Sequence, residues 1–498
     1  MGQERREGQE GPDREGRDLA VQIAIVGGGP GGYAAAFLAA DLGLSVALVD
    51  PEADPGGACM YRGCIPSKAL LHVAKLIGES RQARAWGIEL GEPAIDLDRL
   101  RAFKNGVVAR LTAGTGQLVR YRKVHYLRGM AEIVDAHTLR VKLAAGGDAR
   151  LQFEHAILAT GSLPAIPGPL QLNDPRVMDS TGALDLPEIP KSLLVIGGGY
   201  IGLELGSVYA AFGSAVTVIE MTAGLLPGAD RDLVDILARR VAKVMSRVLL
   251  ETRVVRMTPE AGGIRVAFEG QGGQAEQLFD RVLVSVGRRP NSAIPGLDRT
   301  KVQLDARGFI VVDEQRRTHE PSIFAIGDVA GEPLLAHKAS HEGRTAVEVI
   351  AGENVVFAPR AIPAVVFTDP ELAWAGLTEA QARSQNRAVT IAKFPWAASG
   401  RALTLDRTDG LTKLVLDQET ERVLGVGLVG PGAGELLAEG VLAIEMGATA
   451  ADLTLTIHPH PTLTETVMES AEAFFGQATH IYRPKRPAPA DRPRDQKR

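Results

Sequence analysis

The sequence predicts an α/β chain built from two doubly wound parallel-sheet units and a C-terminal α+β domain, and three observations lead to that architecture. An apolar strand, a glycine turn, a helix-like stretch, a second apolar strand and a terminal acid follow one another near residue 23 and again near residue 193. Both copies have the same internal spacing. From about residue 360 the pattern changes to alternating strands and helix-like segments with no third glycine turn.

The first copy begins with Ile23-Ala24-Ile25-Val26 and runs into Gly27-Gly28-Gly29-Pro30-Gly31-Gly32. An Ala-rich stretch follows to Leu42, then Val46-Ala47-Leu48-Val49 and Asp50. The second begins with Leu193-Leu194-Val195-Ile196 and Gly197-Gly198-Gly199-Tyr200-Ile201-Gly202, and ends with Val216-Thr217-Val218-Ile219 and Glu220. In both, the acid lies 23 residues after the first glycine and 18 after the last. This is the Rossmann-type dinucleotide fingerprint. The first glycine makes a tight turn, the second lets backbone N–H groups approach a pyrophosphate, the third lets helix and strand pack closely, and the acid receives ribose hydroxyls. Glycine makes up 56 of 498 residues, so a lone match would mean little. Two matches in register predict two dinucleotide sites.

Ala156-Ile157-Leu158-Ala159-Thr160-Gly161-Ser162 reads as a buried strand ending in a turn, and Val282 to Asn291 has the same shape after the second unit. Strands are expected at 389–394 and 411–416, with helices near 433–446 and 462–475. The ends differ from this. Residues 1–18 carry four Arg against six acids, and 484–498 carry four Pro and six Lys or Arg against two Asp. Both are expected to be disordered tails.

Composition excludes several classes. At 498 residues, 45% apolar, 23% charged and a net charge of −5, the chain is an ordinary globular protein of about three domains. Nothing in that balance asks for nucleic acid. No apolar run reaches the roughly 18 residues of a membrane span, and the acidic N-terminal stretch is unlike a secretory or transit peptide. A cytoplasmic protein with no membrane partner is expected. Cys59 and Cys64 are the two cysteines of the whole chain, so there is no disulfide framework and no four-cysteine zinc site, and no metal is expected. If these two do chemistry, they do it together.

They lie in Gly56-Gly57-Ala58-Cys59-Met60-Tyr61-Arg62-Gly63-Cys64-Ile65-Pro66-Ser67-Lys68. Residues five apart in a straight helix are about 8.6 Å apart at Cα from helix rise and radius, beyond the roughly 7 Å that a disulfide bridges. A bent backbone is therefore needed, and Gly63 and Pro66 can supply it. The Ala69–Ala74 stretch reads as helix, which places Cys64 near an N-terminus that favours a thiolate. The plain alternative is a pair of small buried hydrophobes.

This segment resembles the redox-active segment of the flavin-dependent pyridine nucleotide-disulfide oxidoreductases. Two further stretches resemble the members that oxidise dihydrolipoyl groups. One is Gly327-Asp328-Val329 through Pro333-Leu334-Leu335-Ala336-His337-Lys338-Ala339 with Glu342-Gly343; the other is His458-Pro459-His460-Pro461-Thr462-Leu463-Thr464-Glu465. The resemblance covers about residues 20–483, in the family's order.

It implies the following parts. FAD is held by Gly27, Gly29, Gly32 and Asp50 with Lys68, backbone at Ala131, Thr160-Gly161-Ser162, Asp328 and Ala336. NAD is held by Gly197, Gly199, Gly202, Glu204, Glu220 and backbone at Gly287. Cys64 faces the flavin, Cys59 meets the substrate, and Lys68 pairs with Glu204 beside the flavin. His460 is the acid/base, oriented by Glu465 and reaching the disulfide of the other subunit of a homodimer. Five residues separate His460 from Glu465, the family's spacing, which His458 does not have. The implied domains are a FAD-binding domain over 19–162 and 290–360, an NAD-binding domain over 163–289 and an interface domain over 361–483.

The implied reaction is FAD-dependent oxidation of a protein-bound dihydrolipoyl arm with reduction of NAD⁺. The arm is carried by a lipoyl-bearing protein of a 2-oxo acid dehydrogenase or glycine cleavage complex. Glu220, with no Arg from 221 to 226, favours NAD over NADP, since a carboxylate repels a 2′-phosphate. Glutathione-type reductases commonly differ at Leu463, and mercuric reductases need C-terminal cysteines that are absent here. Transhydrogenases lack the Cys pair, and coenzyme A disulfide reductases use a single cysteine. A related flavin reductase acting on another disulfide is the alternative, and a tethering subunit docked through its basic tail is the rival from another class. Met60-Tyr61-Arg62 and Pro459 depart from the family's usual residues, the first being expected to bring a ring and a charge close to the disulfide.

Overall fold

The computed structural model describes residues 18–482, so both expected tails lie outside the described residues apart from Asp18. The chain divides into two compact units. Among the described residues the first comprises 18–66, 105–163 and 288–358, and the second comprises 67–104, 164–287 and 359–482.

The first unit is built on a parallel sheet whose strands lie in the order 125–128, Val46–Asp50, Leu19–Val26, 151–158 and Ile323–Ala325. The strands His125–Asp135 and Asp148–Leu158 continue past it and pair with Thr138–Leu143 as an antiparallel meander. Both faces of the parallel sheet are buried, which is why its strands read as unbroken apolar runs. Ile23, Ile25, Leu48, Ile157 and Phe324 pack on one side with Ala35, Ala36 and Ala39 of the Pro30–Asp41 helix and Ala346 and Val347 of the Ala336–Ile350 helix. Ala24, Val26, Val49 and Leu158 face the other side with Ile133, Leu139, Val141 and Phe153. The two helices are small-residue helices because their backbones touch. A Cβ on Gly31 would lie 2.9 Å from the Ala339 carbonyl oxygen, and one on Gly343 would lie 2.6 Å from that of Gly31.

In the second unit the same layout recurs. Parallel strands lie in the order Arg247–Leu249, Ala215–Ile219, Ser192–Ile196, Arg281–Val284 and Val177–Met178, with an antiparallel meander Arg253–Glu260, Gly263–Gly270 and Gly273–Phe279 beside them. In each parallel sheet the first strand of the βαβ unit is central and the chain order reverses next to it. That reversal opens a crevice beyond the strand ends, where nucleotides bind in such sheets. The same unit carries an antiparallel sheet, Ala364–Val366, Glu371–Gly376, Val423–Gly430, Leu411–Asp417 and Val389–Pro395. The helices Ala433–Met446 and Glu465–Phe475 pack against it.

Lys413, 1% exposed, lies between Asp230, Asp232 and Glu379 at 2.8, 3.0 and 2.8 Å. These acids form the one group of three or more metal-ligand-type side chains found close together among the described residues, and Lys413, Lys393 and Arg383 already pair with them. No helix among the described residues is long and apolar enough to cross a membrane.

Candidate active site

The two glycine turns do the same work with the same atoms. Gly27 has φ +106° and Gly197 φ +111°, and a Cβ on either would lie within 2.3 or 2.5 Å of the carbonyl oxygen of Ala159 or Ser285. Cβ atoms on Gly32 and Gly202 would lie 1.8 and 2.2 Å from the carbonyl oxygens of Gly27 and Gly197. No side chain larger than hydrogen fits those contacts. The middle glycines differ: Gly199 has nothing within 4 Å of a built Cβ, and Gly29 meets the Gly57 Cα alone, at 3.9 Å. Each is the N-cap of its helix, and neither helix has a side-chain cap. Both helices therefore present uncapped N–H groups to open space, the arrangement that receives a pyrophosphate.

The acids at the second strand ends are tied to the turns. Asp50 Oδ2 accepts the Gly28 N–H at 2.5 Å, and Oδ1 accepts that of Glu52 at 3.0 Å. Burial pushes the Asp50 carboxyl above its usual range, against the pull of the Gly28 N–H and the Arg62 guanidinium. Glu220 Oε2 accepts the Gly198 N–H at 2.7 Å, while Oε1 accepts the N–H and hydroxyl of Thr222 at 2.7 and 2.8 Å. Each carboxylate keeps further lone pairs for ribose hydroxyls.

Around the first turn, Ala131 is buried in the strand His125–Asp135. The Thr160-Gly161-Ser162 turn is locked by the 288–291 segment. The Thr160 hydroxyl donates to the Asn291 carbonyl at 2.7 Å, and the Asn291 N–H donates to the Gly161 carbonyl at 2.9 Å. Arg288 donates to the Ser162 hydroxyl at 2.7 Å, and that hydroxyl donates to Asp328 Oδ2 at 2.5 Å. Asp328 follows Gly327, whose N–H donates to the wholly buried Glu342 at 2.6 Å. Glu342 also pairs with Arg316 and Lys338, at 2.9 and 3.0 Å. Ala336 opens a helix whose N-cap, Leu335, offers no side-chain acceptor, so its N–H is another donor for a ligand. Arg288, Asn291 and Glu342 are the residues here to which sequence reasoning gave no role; the first two stand in the quoted Val282–Asn291 run and could have been suspected.

Cys59 lies in the short helix Gly57–Arg62 and Cys64 begins the helix Cys64–Gln82. Gly63 is the break between them. A Cβ there would lie 2.9 Å from the Ala58 carbonyl oxygen, so the bent backbone needs glycine at this point. Cys59 is half-buried and Cys64 exposed. Tyr33, another residue without a sequence-derived role, stands near both, and its phenol is pushed up by burial and then by the two thiols. The Tyr61 hydroxyl donates to the Asp54 carbonyl at 2.9 Å, and Arg62 pairs with Glu52. These side chains thus fasten the cysteine segment to the loop after Asp50, where the sequence suggested a ring and a charge crowding the disulfide. The acidic loop supplies partners that local sequence could not announce.

In the second unit, Lys68 donates to Glu204 Oε2 at 2.8 Å, and the Phe367 N–H donates to Glu204 Oε1 at 2.9 Å. The Lys68 ammonium also lies 4.4 Å from the centre of the Phe367 ring, a cation–π contact. Gly287 has φ +128°, and its carbonyl accepts the Ala165 N–H at 3.0 Å.

His460 Nδ1 is 2.8 Å from Glu465 Oε1, and Glu465 Oε2 accepts the Thr462 N–H at 2.8 Å. Burial pushes the Glu465 carboxyl up, but the Thr462 N–H and the His460 ring outweigh it and hold it below its ordinary value. The His460 side chain is 70% exposed, and among the described residues its Nε2 has no hydrogen-bond partner. His458 is its opposite. Nδ1 meets the Thr456 carbonyl and Nε2 meets Glu439, both at 2.8 Å, and its side chain is 4% exposed. With both ring nitrogens engaged, His458 has none to offer a substrate. Leu442, Met446, Leu455 and Ile457 form exposed apolar surface on the helix Ala433–Met446 and just ahead of this segment.

Residues 21–343 match the pyridine nucleotide-disulphide oxidoreductase family, and residues 362–471 match its dimerisation domain. Dihydrolipoyl dehydrogenase of Haemophilus influenzae is 47% identical over 465 residues, 93% of this chain and 97% of that protein. The enzyme of the same name from Thermus scotoductus is 46% identical over 462 residues, 92% and 98% of the two chains. The crystal structure of LpdA from Mycobacterium tuberculosis superposes with a TM-score of 0.84 at 28% identity, covering 91% of this chain and 99% of that one. A Cu(II) complex of RclA, an HOCl-induced flavoprotein disulfide reductase from Escherichia coli, has a TM-score of 0.81 at 29% identity, covering 91% and 99%. The chain belongs to the pyridine nucleotide-disulphide oxidoreductase family and, within it, to the dihydrolipoyl dehydrogenases, enzymes that use FAD and NAD.

Proposed function

We propose that this enzyme oxidises dihydrolipoyl arms carried on other proteins, with Cys59 and Cys64 as the redox pair and His460 as the acid/base, and that NAD⁺ is its electron acceptor. The observation that carries the reading is the exposed His460 ring, fixed through Nδ1 by a carboxylate that the Thr462 N–H holds in turn. That is how an imidazole is oriented to use Nε2 as a base.

In this reading FAD would be held by the glycine turn at 27–32, Asp50, Thr160-Gly161-Ser162, Asp328 and Ala336, with Lys68 and Ala131. NAD would be held by the turn at 197–202, Glu204, Glu220 and Gly287. The bare middle glycines and uncapped helices fit both groups. When bound, FAD accepts an electron pair from a thiolate and passes a hydride to nicotinamide.

The chain's own residues do the sulfur chemistry. The catalytic histidine, His460 of the partner subunit in the dimer we infer, takes the proton of one substrate thiol at Nε2. The resulting thiolate attacks Cys59 Sγ, the Cys59–Cys64 bond breaks, and Cys64 leaves as thiolate. The second substrate thiol then attacks the mixed disulfide, closing the oxidised lipoyl ring and leaving Cys59 and Cys64 with the two electrons. The N-terminus of the Cys64–Gln82 helix favours the Cys64 thiolate. Glu220, its carboxylate held by Gly198 and Thr222, would accept ribose hydroxyls and repel a 2′-phosphate. The exposed apolar surface at Leu442, Met446, Leu455 and Ile457 suits a second copy of the chain, and a cytoplasmic setting suits a cycling thiol pair.

The deciding experiment follows NAD⁺ and NADP⁺ reduction with free dihydrolipoamide, lipoylated carrier proteins and other dithiols. Turnover with lipoyl arms and NAD⁺ is expected. Preference for NADP⁺, or for a dithiol unrelated to lipoate, would overturn the reading.

A further inference from the structure

A second histidine–carboxylate pair stands one helical turn from the first. Glu465 and Glu469 are four apart on the Glu465–Phe475 helix and so share a face. Gly476, with φ +69°, ends that helix, and the chain turns back along it. The returning segment delivers two backbone N–H groups and a ring to Glu469. Thr479 and His480 donate to Oε2 at 3.1 and 3.4 Å, and His480 Nδ1 lies 2.5 Å from Oε1. Glu469 is 3% exposed while the His480 side chain is 52% exposed. A carboxylate so removed from water stays ionised only where donors and a cation surround it.

The neighbouring charges are otherwise engaged. The exception is Glu472 on the same helix, whose carboxyl is pushed up by burial and by Glu469 against the pull of the Thr479 N–H and of His480. In the preceding segment, His460 is bound to Glu465 and His458 to Glu439. Among the elements packed on this helix, Asp452 is held by Thr449, and Lys393 pairs with Asp232. Lys413 lies among its three acids, and Asp417 is held by Thr420 and Arg387. When protonated, the His480 ring acts on Glu469 by contact and, across the same helix, on Glu465 and Glu472, where it opposes the effect of burial.

We propose that Glu469 and His480 are a positioning pair for the His460–Glu465 couple, setting the local charge one turn below it and so the ease with which His460 exchanges its proton. This rests on the reading of His460 as the acid/base. The fold-back after Gly476 thereby gains a purpose beyond ending a helix.

The test is the pH profile of kcat/KM for dihydrolipoamide oxidation by the flavin-loaded enzyme. In H480N the charge that the ring carries when protonated is lost, His460 holds its proton more tightly, and the acid limb moves to higher pH. In E469Q a negative charge is lost, and the limb moves to lower pH. Each shift should be about 0.3 of a pH unit or more, the value for a unit charge roughly 10 Å away in water, and should shrink with added salt. A purely structural role would lower activity without shifts of opposite sign. H480N alters an exposed ring and keeps both backbone donors, so it carries the test even if E469Q does not fold. A limb that stays within about 0.1 unit in H480N, or moves the same way in both variants, overturns the proposal. H460Q separates the two readings. If it leaves turnover unchanged, the acid/base assignment itself fails; if it slows turnover while H480N leaves the limb in place, this inference alone fails.

Discussion

Gly199→Ala and Gly202→Ala differ by three positions in the same turn, and the structure expects them to fail in different ways. At Gly199 a Cβ meets nothing within 4 Å, and the backbone, with φ −77° and ψ 178°, suits any residue. Stability should therefore change by no more than about 0.5 kcal/mol. The methyl would instead stand where a pyrophosphate approaches the helix N-terminus, and a loss of at least about 1.4 kcal/mol, or tenfold, in NAD⁺ affinity is expected. At Gly202 a Cβ would lie 2.2 Å from the Gly197 carbonyl oxygen and 2.6 Å from Ser285 Oγ. Helix and strand must separate by about an ångström, an overpacking cost of roughly 1–3 kcal/mol. Calorimetric titration of NAD⁺ and thermal unfolding of the flavin-loaded enzyme distinguish the two. Unchanged affinity in G199A would refute the open middle glycine as the pyrophosphate approach, and wild-type stability in G202A would refute the close helix–strand contact.

Four further outcomes are expected. Cys59→Ser should abolish dithiol turnover while keeping bound flavin, measured by the assay above together with flavin absorbance. His460→Gln should slow thiol chemistry by about 10² to 10⁴, whereas His458→Gln, in which the lost ring is bound at both nitrogens, should cost less than about tenfold. The Arg176 guanidinium holds the Asp174 carboxyl at about 2, below its ordinary value. Its contribution is thus fully present above the unfolded value of about 3.9 and is lost as pH falls through the folded one. For a partly solvent-facing pair that is about 1 kcal/mol, so D174N should be less stable than wild type at pH 6, by a difference that shrinks as pH falls towards 2 in denaturant titrations. Lys413→Met should leave the buried Asp230 without its cation, and Asp232 and Glu379 with Lys393 and Arg383 alone, and destabilise by about 3–5 kcal/mol, read from the same titrations.

What the sequence made legible was local. The glycine turns and their acids lie within 23 residues of one another, and each position has one steric or hydrogen-bonding task, so residue type and spacing suffice to find them. The apolar strands were visible because both sheet faces are buried. Partners distant in the chain were not visible. Asn291 locks Thr160 across 131 positions, and Lys413 meets Asp232 across 181. Nothing local to Lys413 distinguishes it from a surface lysine. Tyr61 and Arg62 are instructive in another way: their position between the cysteines was plain, but their direction depended on Glu52 and Asp54, a loop with no signal of its own. His480 had no motif at all, and its contact with Glu469 exists because Gly476 turns the chain.

Helix capping links these cases. Short helices away from the glycine turns are capped by their own side chains: Asp179, Thr378, Ser399 and Thr449 each accept an N–H of the helix they begin. The helices starting at Pro30, Tyr200 and Ala336 have no such cap, and these are the three that the proposed FAD and NAD sites use. A side-chain cap would occupy the N–H groups that a phosphate or flavin needs, so glycine or leucine stands there and the donors stay open. The rule has exceptions: the helices starting at Gly57, Ala433 and Glu465 also lack a side-chain cap, and the helix after Asp230 lacks one for a cause of its own. Asp230 is an N-cap without a cap hydrogen bond because its carboxylate binds Lys413 and the N–H groups of Glu379 and Ala380 instead. A missing cap is therefore evidence of a ligand only where nothing in the protein has claimed the capping residue. By that criterion the two glycine turns and the Ala336 helix stand apart from the Asp230 helix, whose N-cap serves an ion cluster within the fold.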